Sequence, residues 1–188
     1  MKVSDFVSDI HKKCTDYSYS KFNLEHHPGY SQISIRWMVF PLGAFAWDKE
    51  PLIYIRARDG NEECNNCDSL EEIFETTCHE TGHFLHCCAN VNVRKVKDTL
   101  KNRFLREIIA DLGIFPFIAE NYGHERLDKY RANMETHSTE VAFDIFKRNP
   151  LLLSIIAYKD IRHANRLIRP LLERELYPDS LPRFFRGY

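Results

Sequence analysis

Ser69-Leu70-Glu71-Glu72-Ile73-Phe74-Glu75-Thr76-Thr77-Cys78-His79-Glu80-Thr81-Gly82-His83-Phe84-Leu85-His86 is the stretch from which the chain is best read. Ser69 followed by Glu72 has the spacing of a capping box, so a helix is expected to start here. Leu70, Ile73, Phe74, Thr77, Cys78, Thr81, Leu85 and Cys88 recur every three or four residues and form a core face. Glu72, Thr76, His79, His83 and His86 fall on another face.

Within that helix His79-Glu80-Thr81-Gly82-His83 is a His-Glu-x-x-His motif. An i,i+4 pair of imidazoles points the same way, about one helical turn apart, which is the bite a tetrahedral zinc requires. A catalytic zinc keeps three protein ligands and a water, and Glu80 stands where it can take that water's proton. His79 and His83 are thus candidate ligands and Glu80 the candidate general base. The metzincin continuation, with Gly at 86 and His at 89, is excluded by His86 and Ala89.

The third ligand must lie elsewhere, and Glu140 is the best candidate on sequence. It precedes Asp144 by four residues, so a helix puts both carboxylates on one face, one to ligate and one to orient a ligand histidine. Asp144 is assigned that supporting role, on His79.

Working outward, residues 3–17 read as an amphipathic helix, and Tyr30 to Trp47 as strands and turns. Leu52 to Arg58 alternates, with Ile53, Ile55 and Ala57 on one face, and so reads as a strand with one buried side. Beyond Asn90 the pattern is helical: Lys95–Leu112, Glu125–Arg148 and Leu151–Glu175, with breaks expected at Gly113, Pro116, Gly123, Pro150 and Pro170. The fold class is α+β. A small N-terminal antiparallel or mixed sheet packs on the motif helix within about 1–91, and a mostly helical part follows over about 92–188, in one domain spanning 1–188.

Twenty-six basic residues against 27 acidic ones leave a net charge of -1, so no global field draws the chain to nucleic acid or to an anionic bilayer. The arginines between 162 and 186 are interrupted by Glu173, Glu175 and Asp179, which favours a solvated face over a nucleic-acid surface. No signal-like or membrane-spanning apolar run appears, so an intracellular, cytoplasmic protein is expected. The oligomeric state is not legible. Six cysteines in a reducing compartment are expected as thiols. Cys64-x-x-Cys67 has metal-knuckle or redox spacing and would make a four-sulfur set with Cys87-Cys88 if the fold gathered them. One catalytic zinc is the main expectation, and a second, sulfur-bound zinc the lesser one.

Two motifs, His79 to His83 and Glu140 to Asp144, resemble the gluzincin branch of the zincin metallopeptidases, whose members pair a His-Glu-x-x-His helix with a Glu-x-x-x-Asp stretch on a later helix. His79 to His86 is also similar to small intracellular metalloproteases that cleave repressors. The resemblance implies a minimal zincin-like fold and hydrolysis of a protein or peptide lying along an edge strand, for which Leu52–Arg58 is the natural choice. It also implies a His or Tyr that stabilises the oxyanion. Tyr130, His137 and His163 are the candidates, with His163 preferred because Asp160 can orient it. Two other functions compete: a non-catalytic binding or regulatory module on a zincin scaffold, and a deformylase-like amidohydrolase with an upstream cysteine ligand.

Overall fold

The computed structural model describes residues 1–22, 29–37, 42–47, 50–67, 69–89, 99–134, 136–148 and 166. The expected helix Leu151–Glu175, all but one of the C-terminal arginines, and His163 lie outside the described residues.

Helix α1 (Val3–Lys21) buries Val3, Val7, Ile10, His11, Cys14, Thr15 and Ser18, a stripe at three- and four-residue spacing. Its first amides have no helical partner, and the distant turn at residues 60–62 supplies two: Val3 donates to the Glu62 carbonyl at 2.9 Å and Ser4 to that of Gly60 at 2.9 Å.

Strands β1 (Gln32–Arg36), β2 (Gly43–Trp47) and β3 (Pro51–Arg56) form a three-stranded sheet in the order β1-β3-β2. β1 runs parallel to β3, and β2 antiparallel to it, so the sheet is mixed. The alternation expected from Leu52 onward is present, with Ile53, Ile55 and Ala57 all buried. Its position in the sheet differs from expectation. β3 is bonded on both sides and cannot accept a further strand, so among the described residues the outer strand beside the motif helix is β2.

Helix α2 (Leu70–Ala89) carries the motif and packs against β2, β3, α1, α3 and α4. It begins where Ser69 predicts, the Ser69 carbonyl accepting from Ile73 at 2.9 Å. Glu72, however, turns its carboxylate to Arg56 of β3 at 2.9 Å. α2 is central, so its burial is not confined to one stripe: Ile73 through Gly82 are all buried, and His86, on the face opposite the core stripe, is 1% exposed.

Helix α3 (Leu100–Tyr122) starts at Thr99, whose side chain accepts from the Asn102 amide, and ends at Gly123 with φ 86°. It runs unbroken through Gly113 and Pro116, where breaks were expected. A helical proline costs about 3 kcal/mol, yet each large apolar side chain buried around it contributes about 1.5–3 kcal/mol. Leu112, Ile114, Phe115, Phe117 and Ile118 are all at most 1% exposed, so packing overrides the local penalty. The stretch expected as one helix to Arg148 is two: α4 (His124–Met134) and α5 (His137–Arg148). Thr136 caps the second, its hydroxyl accepting from the Thr139 amide at 3.2 Å.

The chain is α+β, with a small mixed sheet between helix α1 and the later helices. Among the described residues no helix is long and apolar enough to cross a membrane.

Candidate metal centre

α2 and α3 cross where Gly82 meets Ala110. A Cβ built on Gly82 would lie 2.3 Å from the Ala110 carbonyl oxygen, so only glycine permits this approach. Ala110 stands between Glu107 and Asp111, and Gly82 just before His83. The crossing therefore delivers two carboxylates of α3 to two imidazoles of α2.

His79 Nε2 is 2.9 Å from Glu107 Oε2 and 3.1 Å from His83 Nε2, and His83 Nε2 is 3.4 Å from Glu107 Oε2. Donor atoms held 2.0–2.2 Å from one tetrahedral ion are separated by ~3.4 Å, so these three nearly have the spacing of a ligand face. Two imidazoles and a carboxylate are also a donor set that suits zinc and its first-row neighbours. Among the described residues His79, His83 and Glu107 are the group able to hold a metal ion. No cysteine belongs to it, and the six cysteines form no disulfide.

The far side of His79 is fixed by Asp111, which is wholly buried. His79 Nδ1 lies 2.8 Å from Asp111 Oδ1, Tyr130 Oη donates to the same oxygen at 2.6 Å, and Thr139 Oγ1 donates to Oδ2 at 2.7 Å. With Nδ1 engaged by Asp111, Nε2 is the ring nitrogen that faces Glu107 and His83. Burial alone would lower the His79 pKa; the charge and hydrogen bond of Asp111, with the hydrogen bond to Glu107, more than reverse it and hold it well above the usual value. Burial raises Glu107 in turn, but the adjacent His83 and His79 outweigh it and leave the carboxyl well below the ordinary range.

Glu80 is 6% exposed and makes no hydrogen bond or ion pair among the described residues. Its pKa is raised by burial, against the pull of His83 and His79. Gly43, the first residue of β2, sits against it: a Cβ there would lie 2.9 Å from Glu80 Cγ and 2.3 Å from Thr76 Cγ2.

Three sequence expectations need correction. Glu140 is not in the cluster; its carboxylate is gripped by Arg131, whose Nε donates to both oxygens at 2.9 and 2.8 Å and whose Nη2 lies 2.7 Å from Oε2. Asp144, expected to support His79, is half-buried one turn along α5 and lends its charge to the same Arg131, while Asp111 occupies the His79 position. Tyr130, offered as an oxyanion donor, is fully buried and spends its hydroxyl on Asp111. His163 and the His137 side chain lie outside the described residues. Glu107-Ile108-Ile109-Ala110-Asp111 carries the same Glu-x-x-x-Asp spacing as Glu140 to Asp144, and begins 24 residues after His83. Its signal was the charge itself: two carboxylates set among Leu105, Ile108, Ile109, Leu112 and Ile114 must find partners on burial.

No protein-family model, curated protein or solved structure matches the chain.

Proposed function

We propose that the chain is a zinc-dependent metallopeptidase of gluzincin type, with His79, His83 and Glu107 as ligands, Asp111 orienting His79, and Glu80 as general base. The observation that carries this reading is Glu80: a largely buried carboxylate that makes no hydrogen bond or ion pair among the described residues, one residue along α2 from a candidate ligand histidine. A purely structural metal site has no use for a proton-accepting carboxylate beside its ligands.

A zinc ion held by His79, His83 and Glu107 would supply Lewis acidity and lower the pKa of a water. Glu80 takes a proton on its carboxylate as the water attacks, and returns it to the leaving amine. A pKa raised by burial suits that exchange, because a base nearer neutrality both accepts and releases protons. Asp111 keeps His79 in one tautomer and orientation, and Tyr130 and Thr139 keep Asp111 in place. Among the described residues β2 is an edge strand whose backbone groups suit an extended peptide, and Gly43 brings that strand onto Glu80 without an intervening side chain.

Glu80→Gln is the test. With zinc loaded, it is expected to keep the metal and to lose at least 100-fold in peptide hydrolysis, assayed on a denatured protein substrate by new N-termini. Full hydrolysis by this variant would remove Glu80 as base.

A further inference from the structure

A cavity of about 480 Å³ lies along the N-terminal half of α2, within the range typical of ligand pockets. Leu42, just before β2, and Met134, at the end of α4, give it aliphatic walls. Its polar wall carries three carboxylates, Glu71, Glu72 and Glu75, beside Ser69, Thr76 and Asn133, and no lysine or arginine among the described residues. Arg126 reaches Glu71 at 2.9 Å and Arg56 reaches Glu72 at 2.9 Å, so two guanidinium groups stand against three carboxylates.

Glu75 is the carboxylate left over. It is 2% exposed, and both of its recorded contacts fall on Oε1: Asn133 Nδ2 at 2.9 Å and Arg126 Nη2 at 3.9 Å. Oε2 has no partner among the described residues. Burial raises the Glu75 carboxyl, and the Asn133 hydrogen bond and the distant Arg126 do not cancel this. Thr76 is 5% exposed, lines the same cavity, and its hydroxyl makes no hydrogen bond among the described residues. Two buried polar side chains thus have unused acceptors at one cavity. Thr76 is also one helical turn, ~6 Å, from Glu80, and both meet Gly43 of the outer strand.

We propose that this cavity is a specificity subsite that takes the cationic side chain of a lysine or arginine in the substrate, Glu75 pairing with the charge, Thr76 accepting a hydrogen bond, and Leu42 and Met134 flanking the aliphatic stem. The proposal rests on the peptidase reading for its place in the reaction, but the binding it requires does not depend on turnover. A long side chain with an apolar stem and a charged head matches aliphatic walls that end in a carboxylate.

The test is an amide-resolved NMR titration of the zinc-loaded full chain with Nα-acetyl-arginine amide and, separately, Nα-acetyl-norleucine amide. The arginine compound is expected to shift the amides of Glu72, Glu75, Thr76 and Asn133 and to bind at least tenfold more tightly than the norleucine compound. Glu75→Gln, nearly isosteric, is expected to abolish that preference, and Thr76→Val to weaken it, each in a chain of unchanged circular dichroism. Equal binding of the two compounds, shifts elsewhere, or an undiminished preference in folded Glu75→Gln would overturn the subsite. Paired peptides differing only in lysine or norleucine then separate the two ideas. Arginine binding at these amides with no peptide cleaved keeps the subsite and sinks the peptidase; cleavage indifferent to the substitution does the reverse.

Discussion

Asp111 sets the terms at the scale of single residues. It is wholly buried and surrounded by His79 Nδ1, Tyr130 Oη and Thr139 Oγ1, each within 2.8 Å. Asp111→Asn keeps the shape but turns a donor toward hydroxyls that already donate, so His79 loses its fixed orientation. Groups that orient a ligand are worth about 10–100-fold in metal affinity, and a loss of that size is expected in competition with a chromophoric chelator. Affinity unchanged from wild type would mean that Asp111 only fills space. The choice between Glu107 and Glu140 was the least legible part of the site, because each precedes an aspartate by four residues. What separates them is their surroundings. Glu107 and Asp111 interrupt an apolar run, whereas Glu140 lies on a helix with a polar face and has Arg131 within reach. Spacing alone does not carry that distinction; burial does.

At the scale of elements, the contact between α2 and α3 builds the centre. The motif helix, its start at Ser69 and the two histidines on one side were all readable from periodicity, since a helix fixes neighbours three and four residues apart. The partner helix was not, because which helix crosses α2 depends on tertiary packing. Gly82 is the hinge of that packing. Gly82→Ala places a methyl carbon 2.3 Å from the Ala110 carbonyl oxygen and must push the helices apart. Overpacking of this kind costs about 1–3 kcal/mol, so chemical denaturation should show a loss in that range together with weakened metal binding. A variant as stable as wild type with metal affinity intact would show that the crossing tolerates more space than the contact implies. The same dependence on tertiary context explains α3. Gly113 and Pro116 read as breaks locally, but burial on all sides of that segment outweighs them. It explains β3 as well, whose alternation was legible while its central place in the sheet was not.

Across the whole molecule, His11 joins the layers. Its Nδ1 pairs with Thr81 Oγ1 of the motif at 2.9 Å, and its Nε2 accepts from the Ser31 amide at 3.1 Å, just before β1. Burial pushes its imidazole down to about 4, against a small upward pull from Asp16. The sign follows from proton counting. Above pH ~6.5 His11 is neutral whether the chain is folded or not, and its full contribution is present; between ~6.5 and ~4 the unfolded chain binds a proton that the folded chain excludes. Stability should therefore fall as pH drops through that window, by up to about 3 kcal/mol from this residue, and lose nothing more to it below. Urea denaturation of wild type and His11→Gln at pH 7.5, 5.5 and 4 isolates the effect: the stability difference between them should move in favour of the variant as pH falls. A constant difference would contradict it.

The candidate metal centre forms only where the folded chain brings α2 onto α3, so its ligand set is the claim on which the functional reading depends. Zinc stoichiometry of the purified wild type, Glu107→Ala and Glu140→Ala, measured after equilibration with excess zinc and desalting, tests it most directly. The expected result is one zinc per chain in wild type and in Glu140→Ala, and none retained in a folded Glu107→Ala. Zinc kept by Glu107→Ala, or lost from Glu140→Ala, would contradict the assignment.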